Sequence, residues 1–205
     1  MEINKVPRLN YEQIYQEAEK FLKNYHPERT LPIPIHEIID IKLGMHIVPR
    51  FMLEKRIGLV GFLSNDLSTI NVDENVHDYQ EPRFRFTLAH EIGHLILHKD
   101  MYKELSFSSQ EKWKSIQMGM KDEIRQWFEW QANCFAGLVL VPRNELIDHV
   151  SKCIRKIDEQ GVGLNENWEF AWENIADYLA REIFNVSSTT ILSRFHYDKI
   201  RERYK

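Results

Sequence analysis

His90 and His94 lie four residues apart with Glu91 beside the first, in the run Phe86-Thr87-Leu88-Ala89-His90-Glu91-Ile92-Gly93-His94-Leu95-Ile96-Leu97-His98. On a helix, residues i and i+4 share a face one turn apart. Both imidazoles can therefore face one Zn²⁺, with the Glu91 carboxylate next to them as a general base. Three protein ligands and one open position are usual for a catalytic zinc, so a third ligand has to come from elsewhere. His98 is nearest in sequence, but eight residues of helix separate it from His90 by about 12 Å. With Zn–N bonds of about 2.0–2.1 Å, one ion does not span that distance. Leu95-Ile96-Leu97 offers no sharp turn to shorten it, and His98 is expected to end the helix, where an imidazolium suits the dipole.

Glu129 is the better third ligand. It enters the stretch Glu129-Trp130-Gln131-Ala132-Asn133-Cys134-Phe135-Ala136-Gly137-Leu138-Val139-Leu140-Val141-Pro142, which reads as a second helix stopped at the proline. Ala132, Ala136 and Gly137 are small enough for close packing against another helix. A carboxylate entering a segment fit for burial is normally paired or bound to metal. Taken alone, Glu129 reads as complementing a helix dipole; beside His90 and His94, the ligand reading prevails. Asn133, one turn on, can hold a ligand imidazole in place.

With these residues in place, the chain resembles the ImmA/IrrE-family zinc metallopeptidases over most of its length. The resemblance is carried by Arg83-Phe84-Arg85-Phe86-Thr87-Leu88-Ala89-His90-Glu91-Ile92-Gly93-His94-Leu95-Ile96-Leu97-His98 and then by Glu129, Ala132-Asn133 and Phe135-Ala136 leading to Leu140-Val141-Pro142. Upstream, Pro32-Ile33-Pro34-Ile35 and Leu43-Gly44-Met45-His46-Ile47 are similar to the family's N-terminal approach. Gly137 and Val141 depart from the commoner Ala and Met. The resemblance implies a zinc held by His90, His94 and Glu129, with Glu91 as catalytic base. It also implies a protein substrate, a helix-turn-helix repressor whose cleavage switches on genes of mobile elements or stress responses. The alternative is a regulator that binds a repressor or DNA without cutting; the open coordination position argues against it, since structural zinc is usually four-coordinate through Cys and His.

The elements that must position these residues read as α+β: a zincin-like core of small sheet plus metal-binding helices, then a C-terminal helical, helix-turn-helix-like appendage. We expect residues 1–150 to form the metallopeptidase domain and 165–205 the C-terminal helical segment. Tyr11 to Tyr25 has helical periodicity through Ile14, Ala18, Phe21 and Leu22. A short helix is expected from Ile35 to Leu43, ended by Gly44. Three strands follow, Met45 to Pro49, Ile57 to Leu63 and Ser68 to Val72, with a turn at Asn65-Asp66. An edge strand beside the metal would grip an extended peptide by adding it to the sheet. Lys99 to Gln126 reads equally as a lid and as a solvated connection, with Ser108 or Ser109 capping a helix from Glu111. Trp172 to Phe184 and a helix capped by Ser187 resemble a helix-turn-helix around Asn185. Of its basic followers (Arg194, Lys199, Arg201, Arg203, Lys205), Asp198 and Glu202 dilute the charge, which argues against DNA binding.

Composition fits an intracellular enzyme. The 205 residues carry a net charge of −4, so there is no overall basic bias toward nucleic acid. At 43% hydrophobic the chain can bury a sizeable core. Two cysteines, Cys134 and Cys153, form no disulfide framework. Neither a signal-peptide stretch nor a membrane-length apolar run is present, so a cytoplasmic location is expected and no membrane partner. Trp127 and Trp130 straddle Glu129 and are expected to wall the metal pocket. His77, Tyr79 and His98 are the candidates for stabilising an oxyanion.

Overall fold

The computed structural model describes residues 6–105, 107, 109–159 and 168–204. Helix α1 (Tyr11–Tyr25) starts on a reciprocal cap: Asn10 Oδ1 accepts from the Gln13 amide, and Gln13 Oε1 accepts from the Asn10 amide. Its apolar stripe of Ile14, Ala18, Phe21 and Leu22 is buried, as its spacing predicts. A short helix α2 (Ile35–Glu37) runs into a wider turn, Ile38–Lys42, and Gly44 leaves it at positive φ.

The sheet has three strands in the order β1-β3-β2: β1 (His46–Arg50), β2 (Gly61–Leu63) and β3 (Thr69–Asp73). β1 pairs parallel with the central β3, and β2 pairs antiparallel with it. The expected strand from Ile57 is corrected here. Leu53–Ile57 forms helix α3, and only Gly61–Leu63 is strand. Leu53 and Ile57 are four apart and both buried, which is helical spacing. The decisive contact comes from β3, where Asp73 accepts from the Glu54 amide at 2.9 Å. Asp73 also caps α4 (Glu74–Tyr79).

Helix α5 (Glu81–Leu97) carries His90, Glu91 and His94. It is buried on nearly all sides, which fits its weakly amphipathic composition. The buried Arg85 ties it to both flanks, donating to Ile33 O at 2.8 Å and to Asn185 O at 3.0 Å. Two further helices, α6 (Lys99–Glu104) and α7 (Gln110–Gly119), lead to α8 (Asp122–Leu140), the main partner of α5. Ser109 caps α7, accepting from the Lys112 amide; Ser108 lies outside the described residues. Because α8 begins at Asp122, Glu129 sits in its third turn, away from the positive end of the helix dipole.

Helices α9 (Arg143–Glu159), α10 (Trp168–Leu179) and α11 (Ser188–Tyr197) complete the chain, with a wide turn Ala180–Phe184 before the last. The α+β class and the C-terminal helices are as expected. The turn before α11 also forms as read, with Asn185 left-handed and Ser187 accepting from the Thr190 amide. No helix among the described residues is long and apolar enough to cross a membrane.

Candidate metal centre

The two metal-bearing helices meet at Gly93. A Cβ there would sit 3.1 Å from both Cα and O of Ala132, so any larger residue would push the two helices apart by a few tenths of an ångström. That close approach brings α8 up to α5 with Glu129 opposite the two histidines. Glu129 Oε2 lies 3.2 Å from His90 Nε2 and 3.8 Å from His94 Nε2, and the two Nε2 atoms are 3.0 Å apart. All three donor atoms fall within 4.8 Å of one another.

The other side of each donor is already occupied. His90 Nδ1 contacts Asn133 Oδ1 at 2.9 Å; a carbonyl oxygen only accepts, so Nδ1 carries a proton and Nε2 is the nitrogen turned toward Glu129. His94 Nδ1 contacts His98 Nδ1 at 2.9 Å. Ligation through His94 Nε2 requires His94 Nδ1 to donate there and His98 to accept. Gln117 on α7 donates to Glu129 Oε1 at 3.2 Å, leaving Oε2 free. Phe128 stacks on the His94 ring at 4.1 Å and packs on His98 at 4.4 Å, limiting rotation of both.

The charges tell the same story. Burial pulls the pKa of His94 down to about 4 and that of His98 to about 2, keeping both rings neutral. For His90, burial also acts downward, but the adjacent Glu129 carboxylate outweighs it and leaves a value of about 8. Glu129 is opposed by its own burial, yet the two imidazoles hold it well below the usual carboxylate range. Among the described residues, no lysine or arginine pairs with it. Once His90 gives up its proton, two imidazoles and a carboxylate offer lone pairs to one point, a donor set that suits a divalent cation. The residues present therefore fit a metal.

Glu91 sits on the strand side of this centre. Burial raises its pKa to about 7, partly offset by His90 and by a hydrogen bond from the Leu63 amide. β2 approaches α5 so closely that a Cβ on Gly61 would lie 2.6 Å from Thr87 Cγ2. Val60 O and Ser64 N bond to β3, so the alternation turns Gly61 and Leu63 toward the open edge. Leu63 N–H meets Glu91, and Gly61 is left to face the cleft. That cleft has a volume of about 470 Å³ and is lined by Gly58 to Gly61 on one side and Trp113, Lys114, Gln117 and Met118 of α7 on another.

The model of the IrrE N-terminal-like domain (Peptidase_M78) matches residues 42–196, from the approach to β1 through α11. The chain belongs to this family. Its IrrE-like membership makes it a metallopeptidase, and the α+β arrangement is that of a zincin-like peptidase. No curated protein matches the chain.

The chain gathers His90, His94 and Glu129 at one point, Glu91 lines the same cleft, and Asn133 contacts His90 from its position on α8. Other expectations are corrected. Trp127 and Trp130 stack on each other, and neither lines the metal cleft. Tyr79 is exposed and His77 contacts Asp78 and Phe84, so both stand away from the cleft. His98 does end α5, but it is buried behind His94 and neutral, so it is neither an imidazolium cap nor a cleft residue. The 99–126 segment is a wall of the cleft, since α7 lines it and supplies Gln117. Tyr102 was missed: its hydroxyl is buried at the cleft and has no hydrogen-bond partner among the described residues. In the C-terminal turn, α11 buries Thr190, Ile191, Arg194 and Phe195 against the core, and its exposed face, with Thr189, Ser193 and His196, carries no arginine or lysine to meet phosphates. Arg194 and Arg201 are paired with Asp198 and Glu169; Lys205 lies outside the described residues.

Proposed function

We propose that the protein is a zinc-dependent endopeptidase in which His90, His94 and Glu129 hold the metal and Glu91 is the general base. The observation that carries this reading is the convergence of two imidazoles and a carboxylate beside a second, buried carboxylate and an open strand edge. Zinc, when bound, supplies Lewis acidity that activates water and polarises a scissile carbonyl. The substrate main chain pairs with the free edge at Gly61, which presents its carbonyl to the centre. Glu91 takes a proton from the attacking water on a carboxylate oxygen as the C–O bond forms. The same carboxyl returns that proton to the amide nitrogen as the C–N bond breaks. Asn133 and Gln117 orient the ligands, and the buried surroundings of Glu91 hold its basicity in the range suited to neutral pH.

The substrate in this proposal is a helix-turn-helix transcriptional repressor, cut in the cytoplasm to derepress mobile-element or stress genes. Support for that part is the family resemblance of the two motif blocks. The test compares new protein N-termini in host cells expressing wild type or Glu91→Gln. A repressor fragment appearing only with wild type is the expected result. Identical N-termini in both, with metal verified in both proteins, would sink the peptidase reading.

A further inference from the structure

A second cavity of about 690 Å³ lies between α5, α8 and α11. It shares Arg83, Phe86 and Asn133 with the metal cleft, so the two are adjoining chambers of one depression. Asn133 stands at the junction, in contact with His90. Beyond it the walls are Trp130, Cys134 and Gly137, with Thr189 and Ser193 on the exposed rim of α11. The side-chain types decide what the chamber accepts. Two cations reach it, and both are engaged: Arg83 pairs with Glu54 at 2.6 Å, and Arg194 pairs with Asp198 at 2.7 Å while donating to Val141 O. No free charge remains among these groups to demand an acidic ligand. Phe86 and Trp130 supply broad apolar surface, and burial raises the Cys134 thiol to about 12, so that it packs as a small apolar group.

We infer that this chamber is a specificity subsite, receiving a large uncharged apolar side chain, leucine- or phenylalanine-like, from a residue flanking the scissile bond. This inference rests on the metallopeptidase reading above. A peptide paired with β2 and seated at the metal has its next side chain at the junction formed by Phe86 and Asn133. The volume lies within the range of small-ligand pockets, so the chamber admits even the largest apolar side chain, and its selectivity comes from the apolar surface of Phe86 and Trp130. It also gives α11 a task in the catalytic unit, as the outer wall of a substrate pocket.

The test uses hydroxamates on the zinc-loaded protein, because their affinity does not depend on turnover. Acetohydroxamate is compared with dipeptide hydroxamates carrying a glycyl or a phenylalanyl side chain, each measured by calorimetry. We expect the phenylalanyl compound to bind wild type on the order of 10–100-fold more tightly than the glycyl one. Ser193→Trp and Thr189→Trp, both at the exposed rim, should each shrink that ratio to about threefold or less. The ratio is the readout, since partial unfolding or metal loss weakens both ligands alike. A wild-type ratio near one, or a ratio surviving in both variants, would overturn the subsite. If acetohydroxamate itself fails to bind zinc-loaded wild type, the metal-centre reading falls and the subsite falls with it. Binding of acetohydroxamate without discrimination removes the subsite alone.

Discussion

Helix α8 serves two buried polar clusters, one around Glu129 and one just beyond its C-terminus, and they are built on opposite plans. In the second, Asp198 pairs with Arg194 at 2.7 Å and Arg143 at 3.0 Å and accepts from the Tyr11 hydroxyl at 3.1 Å. The Arg194 contact is one of charge more than of aligned hydrogen bonding. Arg194 adds bonds to Val141 O and Tyr11, so anion and cations answer each other within the chain. Around Glu129 there is a carboxylate and two imidazoles; among the described residues no lysine or arginine pairs with it, and in the metal-free site it is the His90 imidazolium that answers its charge. Charge burial is costly unless compensated; Asp198 is answered by two permanently charged guanidinium groups, whereas Glu129 is answered by imidazoles that can give up a proton to a metal. A self-complete cluster joins α1, α9 and α11 into the fold; an incomplete one holds its donors ready for an ion.

The sharpest way to break this contrast is to remove the acid from each cluster in turn. Glu129→Ala should abolish retention of zinc through dialysis, while costing the metal-free protein no more than about 1 kcal/mol, because its pairing with His90 is partly exposed to solvent. Metal content and a thermal melt of the metal-free protein check both halves. Retained zinc would mean that the third ligand lies elsewhere. Asp198→Ala should do the reverse, costing about 3–5 kcal/mol by stranding Arg194 in the interior. Urea unfolding of the metal-free protein measures it; a loss under about 1 kcal/mol would show that the Asp198 cluster is not a structural one.

Smaller changes sharpen the comparison. Gly93→Ala should cost about 1–3 kcal/mol, because its methyl group would press on the backbone of Ala132. It should also weaken zinc binding, since the same contact sets how far Glu129 stands from the histidines. Wild-type zinc affinity in a variant that is clearly destabilised would uncouple packing from ligand geometry. His98→Ala and Asn133→Ala should each reduce zinc affinity by about 10–100-fold while sparing the ligands themselves. Chelator competition reads that loss, and a cobalt-substituted sample should show an altered visible spectrum. Unchanged affinity in His98→Ala would remove its role in setting the His94 tautomer.

Legibility followed the range of the interaction. The i, i+4 pair His90 and His94 needs only helix geometry, and so do the caps at Ser109 and Ser187, whose partners lie three residues away. Glu129 and Asn133 were readable because a carboxylate and an amide in an apolar helix call for partners. Two of the misreadings involve distant contacts. α3 exists because Asp73, nineteen residues on, accepts from its first turn. The reach of α7 over the cleft depends on Gln117 meeting Glu129 across a helix connection. Trp127 and Trp130 flank Glu129 in sequence, yet a helix turns neighbours about 100° apart, so they face away from the metal.

What the amino-acid sequence determined by itself was the chemistry available: which donors exist, that two of them share a helix face, and that a third sits in a helix fit for burial. Helical periodicity and the cost of burying charge decide those points locally. What only the tertiary structure decided was the company each donor keeps. His98 became the support of His94 instead of a helix cap, Gly61 became the point where strand meets helix, and α11 became a pocket wall. Those outcomes depend on how closely α5 and α8 approach through Gly93 and Ala132, a distance set by packing between residues far apart in the chain.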